Sequence, residues 1–293
     1  MKIALFCAYD QAVTVEYALA VQQIAQAKGH RIWMDQRLKK HVEAAGQVAD
    51  YFDSSQPMDQ PYDVLFSVGG DGTLLRSVPF VYDSGVPILG INTGRLGFLT
   101  SLQKESLEKG LHLFFEGSYQ SISRSLIQIR TGAAIDAIQE FGYALNEVTL
   151  IRKNSTAMLR VETRVNDTEL TTYWADGLIV ATPTGSTGYS LSNGGPILTP
   201  ETQCFVLNPL APHNINMRPL ILPDTTTIDI HVKGRGTHHL VSMDARLISV
   251  PMDTPIQLQK APFLIQTIQI NGNDFFQTLR NKLFWGHDSR NRQ

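Results

Sequence analysis

Two incompatible hydrophobic periodicities divide this 293-residue chain near residue 118, and a stretch patterned for one cannot settle as the other. Before that point, short β-branched runs alternate with helical patterns: KIALFC, a helical stretch from Val13 to Lys28, RIWM, a patterned stretch to Ala49, then DVLFSV and VPILGI. Strands that alternate with helices build a sheet covered by helices. Beyond it, the runs SLIQIR, ALNEVTLIR, AMLRVETRV, ELTTYWADGLIVAT, TIDIHV, HHLVSM and PIQLQ alternate apolar with polar residues, the pattern of half-buried antiparallel strands. The expected fold class is therefore α/β plus all-β. An α/β domain spans residues 1–117, a β-rich domain 118–270, and a helical segment 271–293. In that last segment DFFQTLRNKLFWGH spaces apolar residues three and four apart, which predicts a helix near Asp274 to Trp285 with one face packed; the tail SRNRQ is expected to fray.

Local signals set several boundaries. Lys28-Gly29-His30 reads as the end of the first helix, and the polar, proline-broken DSSQPMDQP as a surface loop before the buried strand DVLFSV. Asn166-Asp167 supplies the turn of a hairpin. A net charge of -2 gives no global attraction to nucleic acid or anionic lipid. No apolar stretch approaches the roughly 18 residues that cross a bilayer. Cys7 and Cys204 lie far apart in apolar surroundings, which fits reduced core thiols and predicts a cytoplasmic protein.

The sharpest chemical motif is Gly69-Gly70-Asp71-Gly72-Thr73, directly after DVLFSV and directly before a helical pattern. Glycines at a strand-to-helix turn let backbone approach a ligand closely, and the N–H groups of the following helix favour phosphate. A carboxylate there repels an anion unless it serves the accompanying metal or takes a proton from an attacking hydroxyl; the plainer alternative is a helix-capping Asp. Arg76, one helical turn on, is a secondary phosphate candidate or a solvated helix residue. A second glycine-bearing turn, Ile91 to Phe98, follows the next strand and is expected to line the same crevice.

Two polar blocks mark the β-rich half. Asn146-Glu147 interrupts an apolar strand and offers donors and acceptors to vicinal hydroxyls. Adjacent strand residues point to opposite faces, so both reach one ligand only at a bend or strand end; a solvent-facing edge pair is the alternative. Ala175-Asp176-Gly177 then leads through LIVAT to Pro183-Thr184-Gly185-Ser186-Thr187-Gly188-Tyr189-Ser190-Leu191-Ser192-Asn193-Gly194-Gly195-Pro196. So many small hydroxylated residues and glycines build a ligand loop rather than a core, with Tyr189 offering a ring face to a planar base. His238-His239 alternates across a strand and reads as surface and core rather than as a metal pair.

Together these blocks resemble the NAD kinase family, whose hallmarks are a GGDGT loop, an NE or ND pair and a TPTGSTAYSLSxGGP-like stretch. Ala211-Pro212-His213-Asn214-Ile215-Asn216-Met217-Arg218-Pro219 is similar to a further family block, so the match runs from about residue 64 to 219. The GGDGT element alone also looks like lipid and sugar kinases, and a non-catalytic NAD(P) sensor keeps the loops without the chemistry. The resemblance implies a Rossmann-like first domain, a sandwich-like second domain, a C-terminal segment returning to the first, and transfer of a phosphoryl group from ATP, another triphosphate or polyphosphate to the ribose 2′-hydroxyl of NAD. It further implies Mg²⁺ with the donor and a homo-oligomer, commonly a tetramer, whose site is partly completed across an interface. Asp71 then accepts the hydroxyl proton, Asp71-Gly72 lie beside the ribose, and Asn146, Glu147 and Asp176 hold polar groups of NAD. Thr187, Gly188, Tyr189, Ser190, Leu191 and Ser192 enclose the adenosine portion, with Ala211 against a base. Gly188 stands where the family usually has Ala, and Arg246 where it often has Gln, so Arg246 is expected to bring a cation to a ligand contact.

Overall fold

The computed structural model describes residues 1–58, 60–94, 97–153, 156–272 and 274–285. The expected frayed tail, and Arg95 and Leu96 of the second glycine-bearing turn, lie outside the described residues. The chain divides into two compact units, Met1–Ser123 together with the chain from Ile265 onward, and Arg124–Leu264.

In the first unit β1 (Lys2–Phe6), β2 (Arg31–Asp35), β3 (Asp50–Phe52), β4 (Val64–Gly69) and β5 (Ile88–Asn92) pair in parallel in the order β3-β2-β1-β4-β5. Strands β4 and β5 are buried along their whole length, as a sheet covered on both faces requires. α1 (Ala12–Ala27), α2 (Lys39–Ala44) and α4 (Leu107–Phe115) cover one face, where Tyr17, Val21, Val42, Leu111 and Phe114 pack on Ile3, Leu5, Phe66 and Leu89. The predicted end of the first helix is borne out, with Gly29 at φ +77° just beyond it. α3 (Asp71–Val81) packs against β4 and β5 and buries Leu74, Val78 and Phe80. Strand order runs outward from β1 to β3 and then reverses through β4. The carboxyl ends of β1 and β4 therefore flank the switch point where such sheets bind ligands.

β6 (Tyr119–Arg124) leads into the second unit. There β7 (Ile127–Thr131), β8 (Tyr143–Ala144), β10 (Leu159–Val165), β11 (Thr168–Ala175), β15 (Ile228–Lys233) and β18 (Pro255–Lys260) form one sheet in the order β11-β10-β15-β18-β7-β8. β9 (Glu147–Arg152), β12 (Gly177–Ala181), β13 (Cys204–Leu210), β14 (Leu220–Pro223), β16 (His238–Met243) and β17 (Arg246–Pro251) form the other, ordered β14-β13-β12-β9-β16-β17. Val161, Tyr173, Ile230 and Leu258 of the first share one core with Val148, Val180, Leu207 and Val241 of the second, so the expected sandwich is formed. Two short helices, α5 (Asp136–Glu140) and α6 (Tyr189–Ser192), lie in its connections. The predicted hairpin is present: Asn166 and Asp167 both take positive φ between β10 and β11, as a type I′ turn demands.

β19 (Ile265–Ile270) returns to the first sheet between β5 and β6, parallel to β5, and α7 (Phe275–Leu283) follows. Residues 118–123 and 265–270, assigned from their alternation to the β-rich domain, thus belong to the first unit. α7 belongs to the first unit, where Phe275 packs on Phe98 with ring centroids 6.2 Å apart. Both cysteines are free and buried.

Candidate functional site

The phosphate loop owes its shape to Gly69, the last residue of β4. It sits at φ +152°, and a Cβ there would collide with the Thr73 side chain. The chain can therefore turn straight from strand to helix only with glycine at this position. The N–H groups of Thr73 and Leu74 donate to the Gly70 carbonyl and start the helical ladder, which puts Asp71 and Gly72 in the first turn, where N–H groups point outward. Asp71 is clasped by the turn after β5. Its Oδ2 accepts from the Phe98 N–H at 2.7 Å, and its Oδ1 accepts from the Leu99 N–H at 3.1 Å and the Thr100 hydroxyl at 3.3 Å. A Cβ on Gly97 would strike the carboxylate, so the turn closes on Asp71 because Gly97 has none. The Lys282 ammonium of α7 stands 3.7 Å from Oδ2. Arg76 is exposed on α3 with its guanidinium over the Tyr9 ring, 5.6 Å from the centroid.

In the second unit Asn146-Glu147 lies at the start of β9 and not within it, which resolves the geometric objection to one ligand meeting both. What makes the bend is Asp244, at φ +51° in the two-residue turn between β16 and β17. Its carboxylate accepts from the N–H groups of Leu145, Asn146 and Glu147 at 2.8, 2.7 and 3.3 Å. Behind the bend, Thr182 donates its hydroxyl to the Leu145 carbonyl at 2.6 Å and its N–H to the Asn146 carbonyl at 2.9 Å. Gly185 lies so close to the Asn146 backbone that a Cβ would collide with it, and a Cβ on Gly188 would press on the Glu147 carboxyl and the Asn146 amide. The run Thr184 to Ser192 thus packs directly on the pair.

Two polar atoms here are buried without a partner, Asn146 Oδ1 and Glu147 Oε2. Burial, and next the neighbouring Asp244 charge, push the Glu147 carboxyl up to about 8, against the Tyr189 backbone N–H. Burial also pushes Asp244 up, opposed by its backbone N–H bonds and by Arg246. Three N–H donors on Asp244 favour its ionised form, so the proton of the pair resides on Glu147 at neutral pH. Tyr189 is exposed and offers its ring to solvent. Ser190 is committed inward, accepting from the Asn208 amide, and the Thr187 hydroxyl donates to the Thr184 carbonyl. Leu191 is half-buried and Ser192 exposed beside them.

Asp176 and Ala211 do not join this cluster. The register pairs Glu147 with Ala181 but Ile151 with Gly177, so Asp176 lies past the far end of β12, about 17 Å away along the strand at the usual rise. There it pairs with Arg152 at 3.1 Å and its N–H donates to the Leu210 carbonyl, next to Ala211 at φ +43°. Arg246 has backbone partners close by. Its guanidinium donates to the carbonyls of Phe141 and Tyr143 and stacks over the Phe141 ring, a half-buried staple that fixes the approach to Asn146. The sequence reading missed Asp244 and Lys282 as site-forming residues. An Asp in a tight turn, and a Lys on a helix, carry no signal of what they meet across roughly a hundred residues or more.

Residues 3–119 match the family described as ATP-NAD kinase N-terminal domain, and residues 145–270 that described as ATP-NAD kinase C-terminal domain. The NAD kinase of Flavobacterium psychrophilum is 50% identical over 240 residues, 82% of each chain. That of Christiangramia forsetii is 42% identical over 99% of this chain and 100% of its own. Among solved structures, an NAD kinase from Archaeoglobus fulgidus in complex with ATP superposes with a TM-score of 0.75 at 26% identity, covering 97% of this chain and 99% of that one. Yeast NADH kinase complexed with NADH shares the fold, with a TM-score of 0.86 at 21% identity over 100% of this chain and 90% of that one.

Proposed function

This chain belongs to the NAD kinase family, and from that premise we propose that Asp71 is the proton acceptor in transfer of the terminal phosphoryl group of ATP to the 2′-hydroxyl of the adenosine ribose of NAD. The observation that carries this role is the clasp on Asp71, which places an oriented carboxylate in the first turn of the helix that follows the glycine loop. Such a carboxylate takes a proton from an attacking hydroxyl, while the outward N–H groups of the helix start stabilise charge on the phosphoryl oxygens. Arg76 is a further phosphate-side cation in the same unit.

Recognition of NAD falls to Asn146, Glu147 and the Thr187 to Ser192 run. Glu147 carries a proton to donate and Asn146 Oδ1 an open acceptor, a complementary pair for the hydroxyls of a ribose. The site is built for a ligand that fills both, since either atom left alone costs free energy. A lipid or sugar kinase shares only the loop, and the family match continues through the β-rich unit.

Mg²⁺ would enter with the triphosphate and would supply charge neutralisation to the phosphoryl group in transfer. Asp71 is the carboxylate of the glycine loop that would face such an ion, with one acceptor position left on Oδ2. The separation of Asp176 and Ala211 from Asn146 supports a homo-oligomer, a tetramer by family resemblance, in which those two residues serve a neighbouring copy. Cytoplasmic residence accords with two free, buried cysteines. The decisive experiment is steady-state turnover with NAD, ATP and Mg²⁺. Asp71→Asn should bind both substrates and lose about 10² to 10⁴ in kcat; near-wild-type turnover removes Asp71 from the chemistry.

A further inference from the structure

The C-terminal helix brings a cation within 3.7 Å of Asp71 Oδ2, the oxygen on which the turn after β5 leaves one acceptor position open. A carboxylate has about four lone-pair positions. On Oδ1 the Leu99 N–H and Thr100 hydroxyl take two, and on Oδ2 the Phe98 N–H takes one. The Nζ of Lys282 stands 3.7 Å from Oδ2 and 4.7 Å from the centre of the Phe98 ring. Phe98 thus joins the two partners: its backbone holds the carboxylate, and its ring holds the ammonium, and it also receives Phe275 from the same helix. The side chains of Lys282 and Asp71 are 35% and 26% exposed, so the pair is neither sealed nor fully solvated. At 3.7 Å the contact is an ion pair too long for a hydrogen bond, and a hydroxyl can take the open position on Oδ2 without displacing the ammonium.

We propose that Lys282 is a positioning residue for phosphoryl transfer, acting through Asp71 to hold its open oxygen toward the acceptor hydroxyl. The proposal rests on Asp71 as proton acceptor. A carboxylate tethered by three donors on one side pivots away from a fourth direction unless something attracts it there. Lys282 supplies that attraction from the far end of the chain, which makes α7 a component of the reacting centre. The plainer role, an anchor for α7, predicts that losing the ammonium and losing the Phe275 ring act alike.

The experiment measures kcat, both KM values and the melting temperature for Lys282→Met, Lys282→Arg and Phe275→Ala, with Asp71→Asn and the Asp71→Asn/Lys282→Met double variant. Loss of alignment at a reacting group costs about ten- to a hundredfold in rate. Lys282→Met should therefore lose that much kcat with NAD KM and melting temperature near wild type, and Lys282→Arg should recover most of it. Phe275→Ala should lower the melting temperature and largely keep kcat. Adding Lys282→Met to Asp71→Asn should cost nothing more, because Lys282 acts only through the carboxylate. Wild-type kcat in Lys282→Met, matched losses in Lys282→Met and Phe275→Ala, or additive losses in the double variant overturn the proposal. Wild-type kcat in Asp71→Asn instead overturns the reading of Asp71, and the two failures are read from different proteins.

Discussion

Asp244 accepts the backbone N–H of Asn146 at 2.7 Å across 98 residues of chain. With its bonds to Leu145 and Glu147, this one carboxylate sets the bend from which both residues of the pair address a ligand.

Asp244→Ala removes the acceptor for three backbone N–H groups, and a buried donor left without a partner costs about 1 to 3 kcal/mol. The variant should melt at lower temperature and need more NAD, with the ATP requirement near wild type because the phosphate loop lies in the other unit. Asp244→Asn keeps an acceptor oxygen and should fall between. Thermal melts with NAD and ATP titrations decide; wild-type NAD affinity in Asp244→Ala would show that the bend survives without its carboxylate.

How much of this was legible in sequence depends on the distance over which each feature is determined. The loop at Gly69 is specified by its immediate neighbours, a buried strand before and a helix after, and Asn166-Asp167 by two residues suited to positive φ. Both were readable. The clasp on Asp71 comes from the backbone of Phe98 and Leu99, the bend at Asn146 from Asp244, and the cation from Lys282, so each needs the tertiary fold. Arg246 has tertiary partners that its sequence neighbourhood does not show. A cation at a ligand block suggested a ligand contact, yet two nearby carbonyls already claim its guanidinium. The strands β6 and β19 alternate like sandwich strands although they extend the first sheet; alternation reports half-burial, not which sheet a strand joins.

Acceptor recognition is separable from donor binding. Asn146→Ala removes the open acceptor and should raise the NAD KM roughly 5- to 150-fold, the factor set by about 1 to 3 kcal/mol. Tyr189→Ala should also raise it by removing a ring that stacks on a planar base, whereas Tyr189→Phe should be mild. ATP KM should move little in all three. Equal weakening toward both substrates would return the Asn146 and Tyr189 blocks to structural roles.

Glu147 ties the stability of the ligand-free protein to pH. Its carboxyl rises from 4.5 to about 8 on folding, so the folded state holds a proton that the unfolded chain releases. The contribution to stability is complete below about pH 4.5 and is lost as pH climbs toward 8, at about 1.4 kcal/mol for each pH unit crossed between those values. Melting temperature should therefore decline between pH 6 and 8, and Glu147→Gln, which never ionises, should flatten that decline. An unchanged slope in Glu147→Gln would assign the proton elsewhere.

His239 acts in the opposite sense from the sandwich interior. It is fully buried on β16, with both ring nitrogens unpartnered, and burial pulls it down from 6.5 to about 4, helped by His238. An imidazole in that setting must stay neutral when folded but gains a proton when unfolded. Its contribution is complete above about pH 6.5 and is lost as pH falls toward 4, up to about 3 kcal/mol at the lower end. His239→Leu keeps a similar volume, removes two unpaired nitrogens and leaves nothing to protonate. That variant should melt higher than wild type at neutral pH, and its melting temperature should rise as pH falls from 6.5 to 4.5, where the opposing Glu147 and His239 slopes hold the wild type level. Between about pH 4.5 and 6.5 the Glu147 and His239 slopes cancel, so the wild-type curve should be level there and fall above pH 6.5, and Glu147→Gln should expose the acid decline that His239 causes. Melting curves from pH 4 to 8 on both variants and the double variant test this; a wild-type-like plateau that survives in His239→Leu would place the acid-sensitive group elsewhere in the fold.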